Sequence, residues 1–293
     1  MSLIGTLTSG VSAMESFEQG LSVIGNNIAN VNTTAFKSGA ASYADSFSNI
    51  LQSSTPAPGT GSGSNTDTIE VGTGVSVSGV STNFNQGSLS STGVPSDLAV
   101  SGNGFFVVRD ASDGTEYATR AGNFTIDSSG YLVTAQGYRV QGLTGGSASG
   151  APTTVGDVKL GTPPTGTQLA SYTVDGSGNF VETYSDSSTA TTNQILLQNF
   201  QNPSALTSVA GNLYSSMTAA QPVSGSTSLS AASNTAGTAG LGSVQSGALE
   251  LSNVDLTTEF ANLITTQRSF EAGSRLITVS DTILEDIVNL KTH

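Results

Sequence analysis

At 293 residues the chain is long enough for one large or two modest domains, each with a buried core. Only 10% of residues are charged, against about 25% in ordinary globular chains, and Gly, Ser, Thr and Asn fill the gap, as in extracellular β proteins and assembled polymers. A net charge of −13 with eight basic residues scattered along the sequence excludes nucleic acid as a partner, and the absence of cysteine excludes disulfides, thiolate metal sites and cysteine nucleophiles.

Residues 3 to about 35 read as a helix, because Ile4, Leu7, Val11, Met14, Phe17, Leu21, Ile24, Ile28 and Val31 keep three- and four-residue spacing. Gly5, Gly10, Gly20 and Gly25 interrupt it at about 1 kcal/mol each, so the helix is not expected to be stable alone. The cluster Asn26, Asn27, Asn30 and Asn32 marks its end, since short polar side chains compete for backbone hydrogen bonds. This N-terminus has no basic segment followed by a continuous apolar run, and 18 apolar residues never run together, so neither a cleaved secretory signal nor a membrane-inserted span is expected.

Residues 38–68 form a polar connector without sustained periodicity, read as a linker or as an extended segment ordered only by neighbouring subunits. Strand-like alternation follows from 69 to 143, at 71–80, 98–100, 105–108, 124–126, 131–133 and 138–140, with Gly-, Asn- and Asp-containing turns between. Weaker strands are expected at 155–160, 170–174 and 179–184, a clear apolar one at 195–200, and a loop or edge ribbon over 221–240. Short strands joined by tight turns predict an all-β barrel or sandwich.

A second helix is expected from about 254 to 291, with Ser252 and Asp255 as a capping pair, Glu271 and Arg275 at i,i+4 and Lys291 on the C-terminal dipole. Leu256, Leu263, Phe270, Ile277 and Leu284 recur every seven residues along it, with Phe260 and Val288 beside them, as Leu7, Met14, Leu21 and Ile28 do in the first helix. Such stripes need partners, the simplest being each other and copies of themselves, so these residues are the expected assembly interface. The fold class is therefore α+β. Helices from 1–37 and 254–293 pair as a coiled-coil domain, 38–68 connects, and 69–253 forms the β domain, with a small inserted portion at 142–198.

The chemistry of an enzyme is missing. The single histidine is terminal His293, no hydrolase, zinc, phosphate-loop or calcium motif occurs, and Gly72-Thr-Gly74 leads into a strand rather than a helix. Acidic pairs such as Asp110 with Asp113 read as solvated charges. No catalytic residue, cofactor or metal site is expected.

Several stretches together resemble the flagellar axial proteins, the family of rod and hook subunits. They are NNIANVNTTAFK at 26–37, QGSL at 86–89, DLAVSGNGFF at 97–106, TRAGNFTID at 119–127 with GYLVT at 130–134, NFQNPSAL at 199–206 and SGALELSNVDL at 246–256. Asn26, Asn27, Asn30, Asn32, Phe36 and Lys37, with Gly102, Gly104, Phe105 and Phe106, carry the match. The resemblance implies an inner coiled-coil domain, an outer β domain and helical stacking into a torque-transmitting tube. It also implies export, unfolded, by the flagellar type III apparatus, a hook cap during assembly, and rod and hook–filament junction proteins at the two ends. NVDL at 253–256 and RLITVSDTIL at 275–284 are most like hook subunits, which places the chain outside the cell. The short length and long polar segment fit the distal rod, a periplasmic shaft, as a second reading. A phage-tail or adhesin-like β fibre is the rival class and lacks the need for two terminal heptad helices; a glycan-processing enzyme is the other rival, argued against by the absence of tryptophan.

Overall fold

The computed structural model describes residues 3–54, 67–146, 152–161, 163 and 166–291. The expected connector therefore lies partly outside the described residues, as do His293 and the side chain of Lys291. The chain is α+β, with a helix at each end and a β-rich middle, and it divides into two compact units. One comprises residues 1–29, 39–83 and 255–293, and the other 30–38 and 84–254.

In the helical unit the N-terminal helix, Leu3–Ala29, pairs with the C-terminal helix, Leu256–Lys291. Their contacts run antiparallel. Thr6 meets Ser280 through their hydroxyls at 3.2 Å, and Asn27 Nδ2 donates to Glu259 Oε1 at 3.2 Å. Between these points lie two buried glycines. A Cβ on Gly10 would stand 3.1 Å from Ile277, and one on Gly273 would stand 3.2 Å from Met14. Glycine weakens a lone helix, but here the missing side chains let the two backbones approach. The C-terminal helix starts at Leu256 rather than 254. Asp255 caps it, accepting from the Thr257 N–H at 2.9 Å and the Thr258 hydroxyl at 3.1 Å, while Ser252 lies outside. Glu271 pairs with Arg268 at 3.0 Å, not with Arg275.

The rest of this unit corrects the sequence reading. Residues 39–52 are not an unstructured connector, and 69–83 group with the helices rather than with the β domain. Gly39–Asp45 pairs antiparallel with Val75–Thr82, and Ser48–Gln52 with Ile69–Gly72, forming a long two-stranded ribbon. Its first strands expose nearly every residue on both faces, so no inside–outside alternation marks them in the sequence. The ribbon is tied to the N-terminal helix by Ser9, whose hydroxyl donates to Thr73 O at 2.9 Å, and by Ser16, donating to Val75 O at 3.1 Å.

The β-rich unit is built on antiparallel pairings. Its main ladder runs through Leu169–Val174, Asn179–Tyr184, Thr189–Ile195, Arg139–Thr144, Phe105–Arg109, Glu116–Thr119, Leu213–Ser215 and Thr207–Val209. That path has two free ends, so it does not close into a barrel. The strand expected at 195–200 is divided between Thr189–Ile195 and Leu197–Gln198, and 221–240 holds one helical turn, Ala231–Asn234. Two further pairings matter for the site: Ser243–Ser246 joins Leu98–Ser101, and Ala248–Glu250 joins Leu89–Ser91. The core gathers Leu98, Val100, Phe106, Val108, Phe124, Phe180, Ile195 and Leu197, all essentially sealed from solvent. A second cluster holds Phe105, Phe200, Tyr214 and Met217, with Phe84 packed against it.

Candidate assembly site

The apolar ladders expected to form an interface divide by exposure. Leu7, Met14, Leu21 and Ile28 are half-buried, as are Leu263, Phe270, Ile277 and Leu284 on the facing helix. Leu256, Phe260 and Val288 remain exposed, at 38%, 50% and 60%.

The C-terminal helix carries another stripe that sequence reasoning missed. Leu276, Val279, Ile283, Ile287 and Leu290 recur at three- and four-residue intervals and therefore share one side of the helix. Each is at least 42% exposed. The positions that meet the N-terminal helix, Gly273, Ile277 and Ser280, lie along a neighbouring side, as does half-buried Leu284. Spacing alone contained this signal, but the seven-residue ladder masked it.

The motif residues are drawn into two polar junctions, one in each unit. In the helical unit, buried Asn27 clasps Gly39 with both ends of its amide. Nδ2 donates to Gly39 O at 2.8 Å, and Oδ1 accepts from Gly39 N–H at 2.9 Å. Asn26, next to it, is exposed.

In the β-rich unit the junction centres on Glu250, whose side chain is fully buried. Its Oε1 accepts from Lys37 Nζ at 2.6 Å and from the Gly87 N–H at 2.9 Å, while Arg120 Nη1 approaches Oε2 at 3.4 Å. Lys37 Nζ also donates to Asn85 O at 2.8 Å, and Arg120 Nη2 to Gly102 O at 2.8 Å. Burial pushes both the Lys37 ammonium and the Arg120 guanidinium below their ordinary ranges, opposed in each case by Glu250. Arg120 also stacks over the Phe105 ring, 5.1 Å from its centroid.

Further hydrogen bonds join residues 35–38 to residues 250–253 beside this junction. Ala35 N–H donates to Glu250 O at 2.8 Å, and Asn253 Oδ1 accepts from Ser38 N–H at 2.8 Å. Half-buried Phe36 contributes its carbonyl, which accepts from Asn253 N–H at 3.3 Å. Nearby, Asn30 accepts from the Thr33 hydroxyl at 3.0 Å, whereas Asn32 is exposed. Gly102 and Gly104 adopt φ of +107° and +127°, and Gly102 N–H donates to Gln86 Oε1 at 2.9 Å. The strand they lead into sends Phe105 and Phe106 into separate core clusters. Stretches that are far apart in sequence thus share one buried carboxylate. Lys37 was singled out in the sequence, but Glu250 and Arg120 were not, because a lone acid in a strand carries no signal of burial.

Residues 7–37 match the flagella basal body rod protein family, residues 99–182 the flagellar hook protein FlgE/F/G D1 domain, and residues 245–290 the flagellar basal body rod FlgEFG protein C-terminal family. The chain is 38% identical to the flagellar basal-body rod protein FlgG of Bacillus subtilis, over 99% of this chain and 100% of that protein. The chain belongs to the flagellar rod and hook protein family. It is 31% identical to FlgG of Caulobacter vibrioides over the whole of both chains. It is 43% identical to the flagellar hook protein FlgE of Helicobacter mustelae over 140 residues, 48% of this chain and 31% of that one. The chain is accordingly a structural component of the bacterial flagellum and not an enzyme, and the β-fibre and glycan-enzyme readings fall.

Elsewhere the structure corrects the reading of the basic residues as scattered. Arg109, Arg139 and Lys159 converge around Asp157 and Tyr131.

Proposed function

We propose that this chain is a subunit of the flagellar rod that polymerises helically through its terminal helices into a straight drive shaft. The observation that carries the polymer is the uncovered stripe of the C-terminal helix. Leu276, Val279, Ile283, Ile287 and Leu290 form a continuous apolar strip that an isolated subunit leaves in water. Burying the exposed half of each against a neighbour contributes about 1 kcal/mol per side chain, repeated at every subunit. The half-buried ladders add to the interface wherever neighbours cover their outer edges.

Rod is preferred to hook on length. The correspondence with rod proteins spans both chains end to end, whereas that with hook proteins spans about a third of the hook chain. Hook subunit is the second reading, favoured by the 43% identity within that shorter stretch. Membership of the family also supports export by the flagellar type III apparatus and contact with other axial proteins at the two ends, with a hook cap required only under the hook reading. The test is Ile283→Asp in a strain lacking the native chain. Motility should be lost while the purified variant keeps its near-ultraviolet circular dichroism. Normal motility would remove the stripe from the interface.

A further inference from the structure

The helical unit carries eleven acidic side chains against three basic ones. Ten of the eleven are exposed, and Glu259 alone is half-buried. Among the described residues the unit's one ion pair joins Arg268 to Glu271, so no cation answers Glu259. Its Oε1 accepts from Asn27 Nδ2 at 3.2 Å, while Oε2 is sealed from solvent and receives no hydrogen bond from the chain. A carboxylate oxygen withdrawn from water without a donor is costly, and natural folds seldom leave one so.

Glu259 borders a cavity of about 290 Å³ between the two helices and the ribbon strand Gly39–Asp45. Val23, Ile24, Ala40 and Ala41 give this cavity apolar walls. Thr265 and Thr266 give it oxygens that only accept, because each spends its hydroxyl proton one turn back, on Ala261 O and Asn262 O, both at 2.8 Å. Two side-chain donors also line it, the Asn262 amide and the Tyr43 hydroxyl, and neither reaches Oε2. The Tyr43 hydroxyl is turned instead to Gly20, occupying the space a Cβ would fill. A cavity with apolar walls, acceptor oxygens and an unanswered carboxylate calls for a ligand that carries a positive charge, N–H donors and a carbon stem.

We propose that this cavity binds a short primary alkylammonium ion, with its N–H groups on the Glu259 carboxylate and its stem against the apolar walls. The last torsion of a glutamate side chain is soft, so a turn of the carboxylate presents Oε2 to the cavity at little cost. The bond gained is charge-assisted on both sides and therefore strong. A divalent ion suits the site poorly, because it prefers several oxygen ligands with more than one carboxylate and makes no use of apolar walls. All the walls come from one subunit, so the site is complete without a neighbour and independent of the polymer reading. Bound there, the cation ties the end of the N-terminal helix, through Asn27, to the ribbon and to the start of the C-terminal helix. It also removes one unit of negative charge from the acidic unit, and it stabilises the paired helices by mass action.

The test uses the purified full chain and propylammonium chloride, at an ionic strength held constant with sodium chloride. Far-ultraviolet melts should show a saturable rise of at least several degrees in the melting temperature of the helices, and calorimetry should show one site per subunit. Tetramethylammonium, which has the same charge but no N–H, should do no more than sodium does. Glu259→Gln should abolish the propylammonium-dependent rise, whatever it does to the melt without amine. Glu285→Gln makes the same charge change at an exposed position of the same helix and should keep the rise. Ala41→Leu leaves the carboxylate but fills the cavity, so it should also abolish the rise, and it takes the place of Glu259→Gln should that variant fail to fold. Three results would overturn the site: no rise in the wild-type chain, which would mean that water alone satisfies the carboxylate; an equal rise with tetramethylammonium; or a rise that survives Glu259→Gln or Ala41→Leu.

Discussion

Replacing Glu250 by Gln should be among the most damaging single changes in the β-rich unit, although it preserves side-chain shape. In the native fold its carboxylate is the counter-charge to a Lys37 ammonium that is wholly shielded from water and to an Arg120 side chain only 5% exposed. A neutral amide keeps an acceptor for one of them but leaves two buried cations without an anion. Breaking a buried pair by removing one partner costs about 3–5 kcal/mol, because the remaining charge stays desolvated. For a unit of this size each kcal/mol lowers Tm by about 2–4 °C, so Glu250→Gln should lower the melting transition by about 6–20 °C. Lys37→Met should cost less when added to Glu250→Gln than when made alone, since the double variant no longer buries an unmatched ammonium. Thermal melts followed by near-ultraviolet circular dichroism and calorimetry give both quantities. A shift for Glu250→Gln of less than about 2 °C, or strictly additive effects in the cycle, would refute the claim that this carboxylate holds the unit together.

Gly273→Val should weaken helix pairing by about 1–3 kcal/mol, because its side chain would press on Met14; far-ultraviolet helix content and protease resistance of the ends measure this. A fragment of residues 30–254 should unfold cooperatively, whereas 69–250, the boundaries suggested by strand signals alone, should be much less stable because it lacks Lys37 and Asn253; chemical denaturation of the two fragments decides it. Burial raises the phenols of Tyr184 and Tyr214 from an ordinary value near 10 to about 12, helped in Tyr184 by its hydrogen bond to Glu182 and in Tyr214 by the charge of Glu250. Their contribution to stability is complete below pH 10 and declines as pH rises from about 10 to 12, so ultraviolet titration should show three of the seven tyrosines ionising late, these two and Tyr117, which burial also raises. Burial would raise the Asp157 carboxyl, but hydrogen bonds from Gln141 and Arg139 and the Arg109 charge outweigh it and hold the group low. That contribution is present above the ordinary carboxylate range and lost as pH falls below it, so acid melts of Asp157→Asn should show a weaker pH dependence than wild type.

How much of this could be read from the residues depends on which physical signal each element carries. The terminal helices announce themselves through periodicity, and strands such as Phe105–Arg109 through apolar runs between glycine turns. The ribbon strands Gly39–Asp45 and Ser48–Gln52 bury too little on either face to leave a pattern. Leu89–Ser91 and Glu116–Thr119 were also missed, being short and held by strand pairing rather than by alternation. The interface residues were legible as ladders, yet ladders do not say which stripe faces its own chain; Ile277 lies beside Gly10, while Ile283 is 42% exposed. The buried junction was the least legible feature. Lys37 and Glu250 are 213 positions apart, and nothing local in either stretch implies that they touch.

The central claim is that this chain is an axial subunit of the flagellum, placed in the rod. The most direct measurement is immunogold electron microscopy of isolated hook–basal bodies carrying an epitope tag in the exposed turn at Gly114. The account predicts label along the straight shaft within the rings. Label on the curved segment beyond them would assign the chain to the hook instead, and intact, motile structures without label on any axial segment would contradict the account.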